Sequence, residues 1–210
     1  MSSRIFGIFL FLFIPLVLYL FLVHPLGVSW SFLLGIAVIL LHRPVARAYM
    51  LRYAGKRCLW CGGMYPPAGR VSLGLGGGRE QEFCYCCGAC RLGILKFCDL
   101  VWRYRVLITA GIFVPLLFYL VTMWVGEFTS VPLLPMEWEK LVFRLGIALT
   151  VVGASLAYLA ASPASRPRFP FPIHNLFLLG MYWTLWIFRL VGLWWIGKSA
   201  VFLAATWKGG

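Results

Sequence analysis

Hydrophobic residues fall into five long blocks along this chain, and most polar and charged residues lie in the connections between them. The blocks are Ile5–Val23, Leu26–Leu41, Val106–Val125, Leu141–Ala161 and Ile173–Ile196. An α-helix needs about 20 apolar residues to cross roughly 30 Å of hydrocarbon, and most of the blocks have about that length. The pattern therefore predicts an all-α integral membrane protein with about five transmembrane helices.

The blocks and their connections divide the chain into seven predicted segments. They are a transmembrane hairpin of helices 1 and 2 (1–42), an amphipathic interfacial segment (43–57), a cysteine-knuckle metal-binding loop (58–98), transmembrane helices 3 (105–125), 4 (141–161) and 5 (173–196), and an interfacial C-terminal tail (198–210). The first block exceeds the roughly 7–15 apolar residues of a signal-peptide core, and no small-x-small cleavage site follows it. We therefore expect it to remain as a membrane anchor.

Composition agrees with a membrane location, and the distribution of charge predicts the orientation. Hydrophobic residues make up 62% of the chain and charged residues only 12%, whereas about a quarter of a soluble domain is charged. Eleven of the 19 lysines and arginines lie between residues 42 and 105, but Glu127, Glu137 and Glu139 dominate the connection between the third and fourth blocks. Because cytoplasmic loops carry the excess of Lys and Arg, we expect the N-terminus and the cysteine loop to be cytoplasmic, in a bacterial cytoplasmic membrane.

The net charge of +13 needs no nucleic acid to explain it, since it follows from this asymmetry and from attraction to anionic lipid headgroups. No helix-turn-helix pattern is present, so we expect membrane lipids and not nucleic acid as partners. In the interfacial segment, Arg43, Arg47 and Arg52 are expected to reach lipid phosphates. The apolar residues of the same segment can face either lipid or protein, and they are Ala46, Tyr49, Met50 and Tyr53.

Six of the seven cysteines lie between Cys58 and Cys90, in a spacing that indicates a metal site. In Cys58-x-x-Cys61-Gly62, two residues between thiolates let both sulfurs bind one ion, and glycine permits the tight turn that follows. The second pair has two registers. Cys84-x-x-Cys87-Gly88 repeats the glycine, whereas Cys87-x-x-Cys90-Arg91 does not. We favour Cys58, Cys61, Cys84 and Cys87 as ligands and keep Cys87 with Cys90 as the alternative second knuckle, which leaves Cys86 spare and Cys98 to pack at the start of the third helix.

Two short stretches resemble a known kind of metal site. CLWCG at residues 58–62, followed by Tyr65, Pro67 and Gly69, resembles the first knuckle of rubredoxins, and CYCCGA at residues 84–89 is similar to their second. Zinc ribbons use the same paired CxxCG knuckles, so the resemblance covers about residues 57–91 and implies zinc or iron bound by four thiolates. The loop is basic where rubredoxins are acidic, and we therefore expect structural zinc, with iron as the alternative. No family is recognised for the membrane part.

The predicted membrane blocks carry few groups that could perform chemistry. No Asp or Glu occurs inside a block, and Arg189 is a charge inside the fifth, where it is expected to reach outward or to pair within a complex. The histidines (His24, His42 and His174) lie at block ends, so no deep pair indicates a bis-histidine haem, and a bound lipid or pigment is not indicated. With no nucleophile–base arrangement and no HExxH motif, we expect no catalytic residue and no enzyme.

These observations predict an accessory or scaffold subunit of a membrane protein complex, in which a zinc knob is a cytoplasmic docking surface for other membrane subunits. Small residues in the fourth block would permit close helix contact, namely Gly146, Ala148, Gly153, Ala154, Ser155 and Ala157. The alternative function is a membrane-bound electron-transfer protein with a rubredoxin-like iron centre.

Overall fold

The structure is a computed structural model that describes residues 42, 44–75, 79–129, 135–171 and 173–208. The first two predicted blocks, Ile5–Val23 and Leu26–Leu41, and Arg43 lie outside these described residues. The described chain is mostly helical, and its elements are α1 (residues 44–53), β1 (Gly69–Leu75), β2 (Arg79–Tyr85), α2 (Gly88–Arg103), α3 (Arg105–Thr129), α4 (Met136–Ala160), β3 (Arg168–Phe169), α5 (His174–Leu179) and α6 (Met181–Lys208). They form two compact units. The first contains the described residues up to Trp102 together with Ala161–Thr184, and the second contains Arg103–Ala160 and the described residues from Leu185 onward.

The first unit contains the three-stranded sheet, with strand order β2-β1-β3. β1 and β2 pair antiparallel from Gly69 opposite Tyr85 to Leu75 opposite Arg79, and β3 runs parallel to the end of β1. Alternate side chains of a strand point to the same face of the sheet, and those that point inward are buried, as Leu73 and Phe83 are. α2 also contributes to this core, through side chains at helical spacing such as Ile94, Phe97 and Val101. The predicted cysteine loop is therefore a small α/β unit.

Helix α1 settles which way its apolar residues face. Ala46, Tyr49 and Met50 are buried within the first unit, and Tyr53 is half-buried. Of the two alternatives that the sequence leaves open, these side chains contact protein.

Three described helices are long and apolar enough to cross a membrane, over Arg105–Gly126, Glu137–Ala160 and Met181–Trp207. α3 and α4 cover the third predicted block and nearly all of the fourth. Small residues permit their close contact, because a Cβ on Gly146 would collide with the ring of Pro115 and a Cβ on Gly111 with the side chain of Thr150. Not every small residue of the fourth block serves this purpose, since a Cβ on Gly153 would meet open space.

The fifth predicted block differs from the observed helices. Instead of one helix over Ile173–Ile196, the structure has the short helix α5, a break at Gly180 and then α6, which begins at Met181. Gly180 has a φ of 102°, a conformation that glycine adopts without steric cost. α6 also continues through Lys198 to Lys208, over most of the predicted interfacial tail, and the Lys198 ammonium group lies 4.6 Å from the centroid of the Trp194 ring. Lysine is a good helix former and does not end a helix.

Candidate metal centre

The first cysteine pair forms a tight turn in the first unit. The Cys58 N–H donates to the Gly63 carbonyl at 3.0 Å, and the Gly62 N–H donates to the Cys58 carbonyl at 2.9 Å. Gly62 has a φ of 69°, the left-handed conformation that favours glycine. A Cβ at this position would also collide with the Leu179 carbonyl oxygen. The sequence expectation that Gly62 permits a tight turn is thus confirmed.

Four sulfur atoms lie close enough together to hold one metal ion. They belong to Cys58, Cys61, Cys86 and Cys90, and all lie within 4.8 Å of one another. The Cys61 and Cys86 sulfurs are 3.7 Å apart, and those of Cys86 and Cys90 are 3.4 Å apart. Sulfurs bound about 2.3 Å from one tetrahedral zinc ion lie about 3.8 Å from each other. The spacing therefore fits a four-coordinate thiolate site.

The second half of this cluster differs from both predicted registers. Cys86 precedes α2 and Cys90 lies in its first turn, so a spacing of four residues brings both sulfurs to one side of the helix start. Cys87, immediately before α2, has another function. Its sulfur accepts the Cys90 N–H at 3.4 Å, and its carbonyl accepts the Arg91 N–H at 3.1 Å, as in an N-cap residue.

Cys84 is also outside the cluster. Its thiol is buried and donates to the Gly55 carbonyl at 3.1 Å, while its backbone carbonyl accepts the Leu59 N–H at 3.0 Å. Cys84 therefore connects β2 to the first knuckle through its backbone. The favoured second pair, Cys84 and Cys87, is not brought to the other sulfurs, and of the alternative pair only Cys90 is.

Cys86 is the cluster member that neither predicted register contains. A helix predicted over residues 88–103 would have indicated it, because Cys90 then lies in the first turn, four residues after Cys86. The buried side chains of α2 recur at helical spacing, as in Ile94, Phe97 and Val101. In a loop, the four-residue spacing of Cys86 and Cys90 would have no structural meaning, whereas at the start of a helix it brings the two side chains to one face. Cys98 was expected at the start of the third helix but is buried in α2, where burial raises the pKa of its thiol to about 12.

The thiols of the cluster differ in how readily they ionise. Burial raises the pKa of Cys58, but the backbone N–H groups of Cys61 and Cys86 point at its sulfur, and the pKa is lowered overall. Burial raises the pKa of Cys86 to about 12, and burial and neighbouring sulfurs raise the pKa of Cys90. A cation bound among the sulfurs would favour all four thiolates, so binding would release protons.

Arg57 is a buried charge beside the first knuckle. Its side chain is only 1% exposed. Its Nε donates to the Gly62 carbonyl at 2.9 Å, and its Nη1 donates to the Tyr49 hydroxyl at 2.6 Å. The guanidinium carbon also lies 5.7 Å from the ring centroids of both Tyr49 and Phe177. Arg57 therefore connects the knuckle to α1 and to α5, and its guanidinium keeps its charge when buried.

The two residues between Cys58 and Cys61 contact the start of α6. The N–H groups of Met181 and Tyr182 donate to the carbonyls of Leu59 and Trp60, both at 3.0 Å. The first N–H groups of a helix have no partner within the helix and need one from outside. The knuckle supplies two such partners, at a point where Gly180 has no side chain that could act as a cap.

The remaining predicted site residues are not members of the four-cysteine cluster. Arg47 and Arg52 are exposed on α1. Arg189, in the second unit, donates from Nε to the Ser155 hydroxyl and from Nη2 to the Ser155 carbonyl at 3.1 Å, and its guanidinium carbon lies 5.2 Å from the centroid of the Trp186 ring. The charge inside the fifth block thus has partners within the chain.

Comparison of the chain with protein-family models, with curated proteins and with solved structures found no match.

Proposed function

We propose that this chain is a membrane-embedded scaffold subunit in which a four-thiolate zinc site holds the cytoplasmic unit together and fixes the start of the last membrane helix. The observation that carries the proposal is the pair of hydrogen bonds from Met181 and Tyr182 to the knuckle carbonyls. Binding of metal to a knuckle of this kind contributes on the order of 10 kcal/mol to folding. A metal in this place would therefore stabilise the knuckle that pairs with the first N–H groups of α6.

We propose zinc in preference to iron as the ion of this cluster. Four cysteine ligands leave no open coordination position for water or substrate, which is typical of structural zinc. The second pair, Cys86 and Cys90, is spaced by four residues at the start of a helix and is not a CxxCG knuckle. The resemblance to rubredoxins, on which the electron-transfer alternative rests, is therefore limited to the first pair. The proposed function is structural.

The proposed location is the bacterial cytoplasmic membrane, with the metal unit in the cytoplasm. Three apolar helices support membrane insertion, and the excess of Lys and Arg between residues 42 and 105 supports the orientation. Other membrane subunits are the proposed partners, with the metal unit as their docking surface.

Metal content and visible absorption of the detergent-purified protein test the proposed site. We expect one zinc per chain and no visible colour, whereas an iron–thiolate absorption band would support the electron-transfer alternative. Cys61→Ser should abolish stoichiometric metal. Cys87→Ser is the matched control, because serine is also a good N-cap residue, and it should retain the metal. Loss of metal from Cys87→Ser alone would contradict the ligand set.

Scaffold function predicts that membrane proteins co-purify in mild detergent. Quantitative mass spectrometry should find the same partners with wild type and with Cys87→Ser, and should lose them with Cys61→Ser. A wild-type protein that purifies alone, or partners that are equally abundant with both variants, would contradict docking through the metal unit.

Orientation can be tested at the exposed Cys87 thiol. A membrane-impermeant maleimide should label it only after cells are permeabilised, and Cys87→Ser should remove that labelling. Labelling of Cys87 in intact cells would refute a cytoplasmic metal unit.

A further inference from the structure

Helix α1 has two different faces. One is packed into the first unit through Ala46, Tyr49 and Met50. The opposite face is exposed, and it consists of Pro44, Val45, Arg47, Ala48, Leu51 and Arg52. Leu51 is 60% exposed and Val45 44% exposed, so this outer face is partly apolar.

The outer face of α1 carries an apolar stripe between two arginines, which suits a membrane–water interface. At 3.6 residues per turn, Leu51, Pro44 and Ala48 form a central apolar stripe, with Arg47 along one edge and Arg52 along the other. A long arginine side chain can extend from the edge of such a stripe to a phosphate group while its stem covers apolar surface. Interfacial membrane helices have this arrangement.

The first unit is continuous in sequence with two of the candidate spans. α2 ends at Arg103 and α3 begins at Arg105, so only Tyr104 separates the unit from one span. The first turn of α6, which contains Met181, belongs to the same unit. The chain of the first unit thus continues directly into two candidate spans.

We propose that the outer face of α1 lies in the headgroup region of the bilayer and binds anionic phospholipid through Arg47 and Arg52. Charge complementarity selects this occupant, because two arginines bracket an apolar stripe on the outer face and no acidic residue is exposed on it. Leu51 and Ala48 contact acyl chains beneath the phosphates. The inference rests on the proposed membrane insertion and goes beyond it by assigning a lipid class and the residues that bind it.

Photocrosslinking in nanodiscs tests the inference on the full chain. The protein carries p-benzoylphenylalanine in place of Leu51 and is reconstituted into discs of phosphatidylcholine and phosphatidylglycerol in equal amounts. Mass spectrometry then identifies the crosslinked products. A basic residue near an anionic surface contributes about fivefold to local binding, so we expect lipid adducts enriched about fivefold or more in phosphatidylglycerol.

Two double variants separate specific binding from the effect of net charge. Arg47→Gln with Arg52→Gln should return the adducts to the lipid ratio of the disc. Arg70→Gln with Arg91→Gln removes the same charge from exposed positions elsewhere in the unit and should keep the enrichment. Unchanged metal content shows that each variant is folded.

Adducts to protein alone, or the absence of adducts at position 51, would overturn the inference, as would an enrichment that survives loss of Arg47 and Arg52. If the chain does not enter the discs, the proposed membrane insertion itself fails. That result is distinguishable from a chain that enters the discs but does not crosslink to lipid through α1.

Discussion

Replacement of each glycine that follows a CxxC pair tests the site most directly. In the sequence, Gly62 follows Cys61 and Gly88 follows Cys87, so a two-knuckle hypothesis requires both glycines. The structure requires only Gly62. Gly62 has a φ of 69° and contacts Leu179, whereas Gly88 is the first residue of α2 and a Cβ there would meet no atom within 4 Å.

The two alanine variants should therefore differ in metal affinity. A left-handed conformation costs an L-residue roughly 1–2 kcal/mol, and the collision of the new Cβ with the Leu179 carbonyl adds to that cost. For Gly62→Ala we expect the free energy of metal binding to weaken by at least about 2 kcal/mol. This corresponds to a metal dissociation constant that is about 30-fold larger. Gly88→Ala should bind metal as tightly as wild type and be more stable by about 0.5–1 kcal/mol, because alanine is a better helix residue.

Competition with a chromogenic zinc chelator, in detergent and at fixed pH, measures both dissociation constants. Wild-type affinity in Gly62→Ala would refute the strained-turn geometry of the first knuckle. A large loss of affinity in Gly88→Ala would show instead that Cys84 and Cys87 form a second knuckle, and the assignment of Cys86 and Cys90 would fall.

Three further predictions concern groups outside the cluster. Arg57→Met removes a buried guanidinium together with its hydrogen bonds to the Gly62 carbonyl and the Tyr49 hydroxyl. It should lower the free energy of unfolding of zinc-loaded protein by about 3 kcal/mol, measured with urea. Arg52→Met, on the exposed face, should change that free energy by under about 0.5 kcal/mol. The pKa of Cys98 rises from 9.0 to about 12 on folding, so its contribution to stability is complete below pH 9 and is lost as pH rises toward 12. Cys98→Ala should reduce the slope of stability against pH in that window by up to about 1.4 kcal/mol per unit, and an unchanged slope would contradict burial of this thiol. Ser155→Ala removes an acceptor from Arg189. It should lower the free energy of unfolding, measured by thermal unfolding in detergent, by about 1–3 kcal/mol. Thr206→Ala, at an exposed position, should have almost no effect on it.

The first cysteine pair could be predicted from sequence, because all its determinants are local. Two thiols, two intervening residues and a glycine specify the turn at Cys58–Gly62, and no distant contact is needed to recognise it. The second pair depends on where α2 begins. Once Gly88 is helical, Cys87 becomes the cap and the ligand spacing changes from three residues to four.

The break at Gly180 could not be predicted from hydropathy. Residues on both sides of Gly180 are apolar, so the mean hydropathy of a window across Ile173–Ile196 predicts one continuous span. Contacts with a distant segment determine the break, since a Cβ on Gly180 would lie 2.8 Å from the Gly62 nitrogen and 2.8 Å from the Trp60 carbonyl oxygen. β3 was missed for the same reason, because Arg168 and Phe169 pair with residues more than 90 positions earlier in the chain.

The contacts at the start of α6 also predict where loss of metal should act first. Met181 and Tyr182 donate to carbonyls that belong to the turn of the candidate metal centre, and an unpaired N–H in or near a membrane is costly. Without metal, the turn loses the constraint that aims Leu59 and Trp60 at the helix. Chelation should therefore accelerate amide hydrogen exchange at the start of α6 while exchange within α3 and α4 stays slow, because the hydrogen bonds of those helices do not involve the cysteine turn. Acceleration that is uniform across all three helices would mean that the metal supports the whole chain, and no acceleration at Met181 would mean that the turn holds its shape without it.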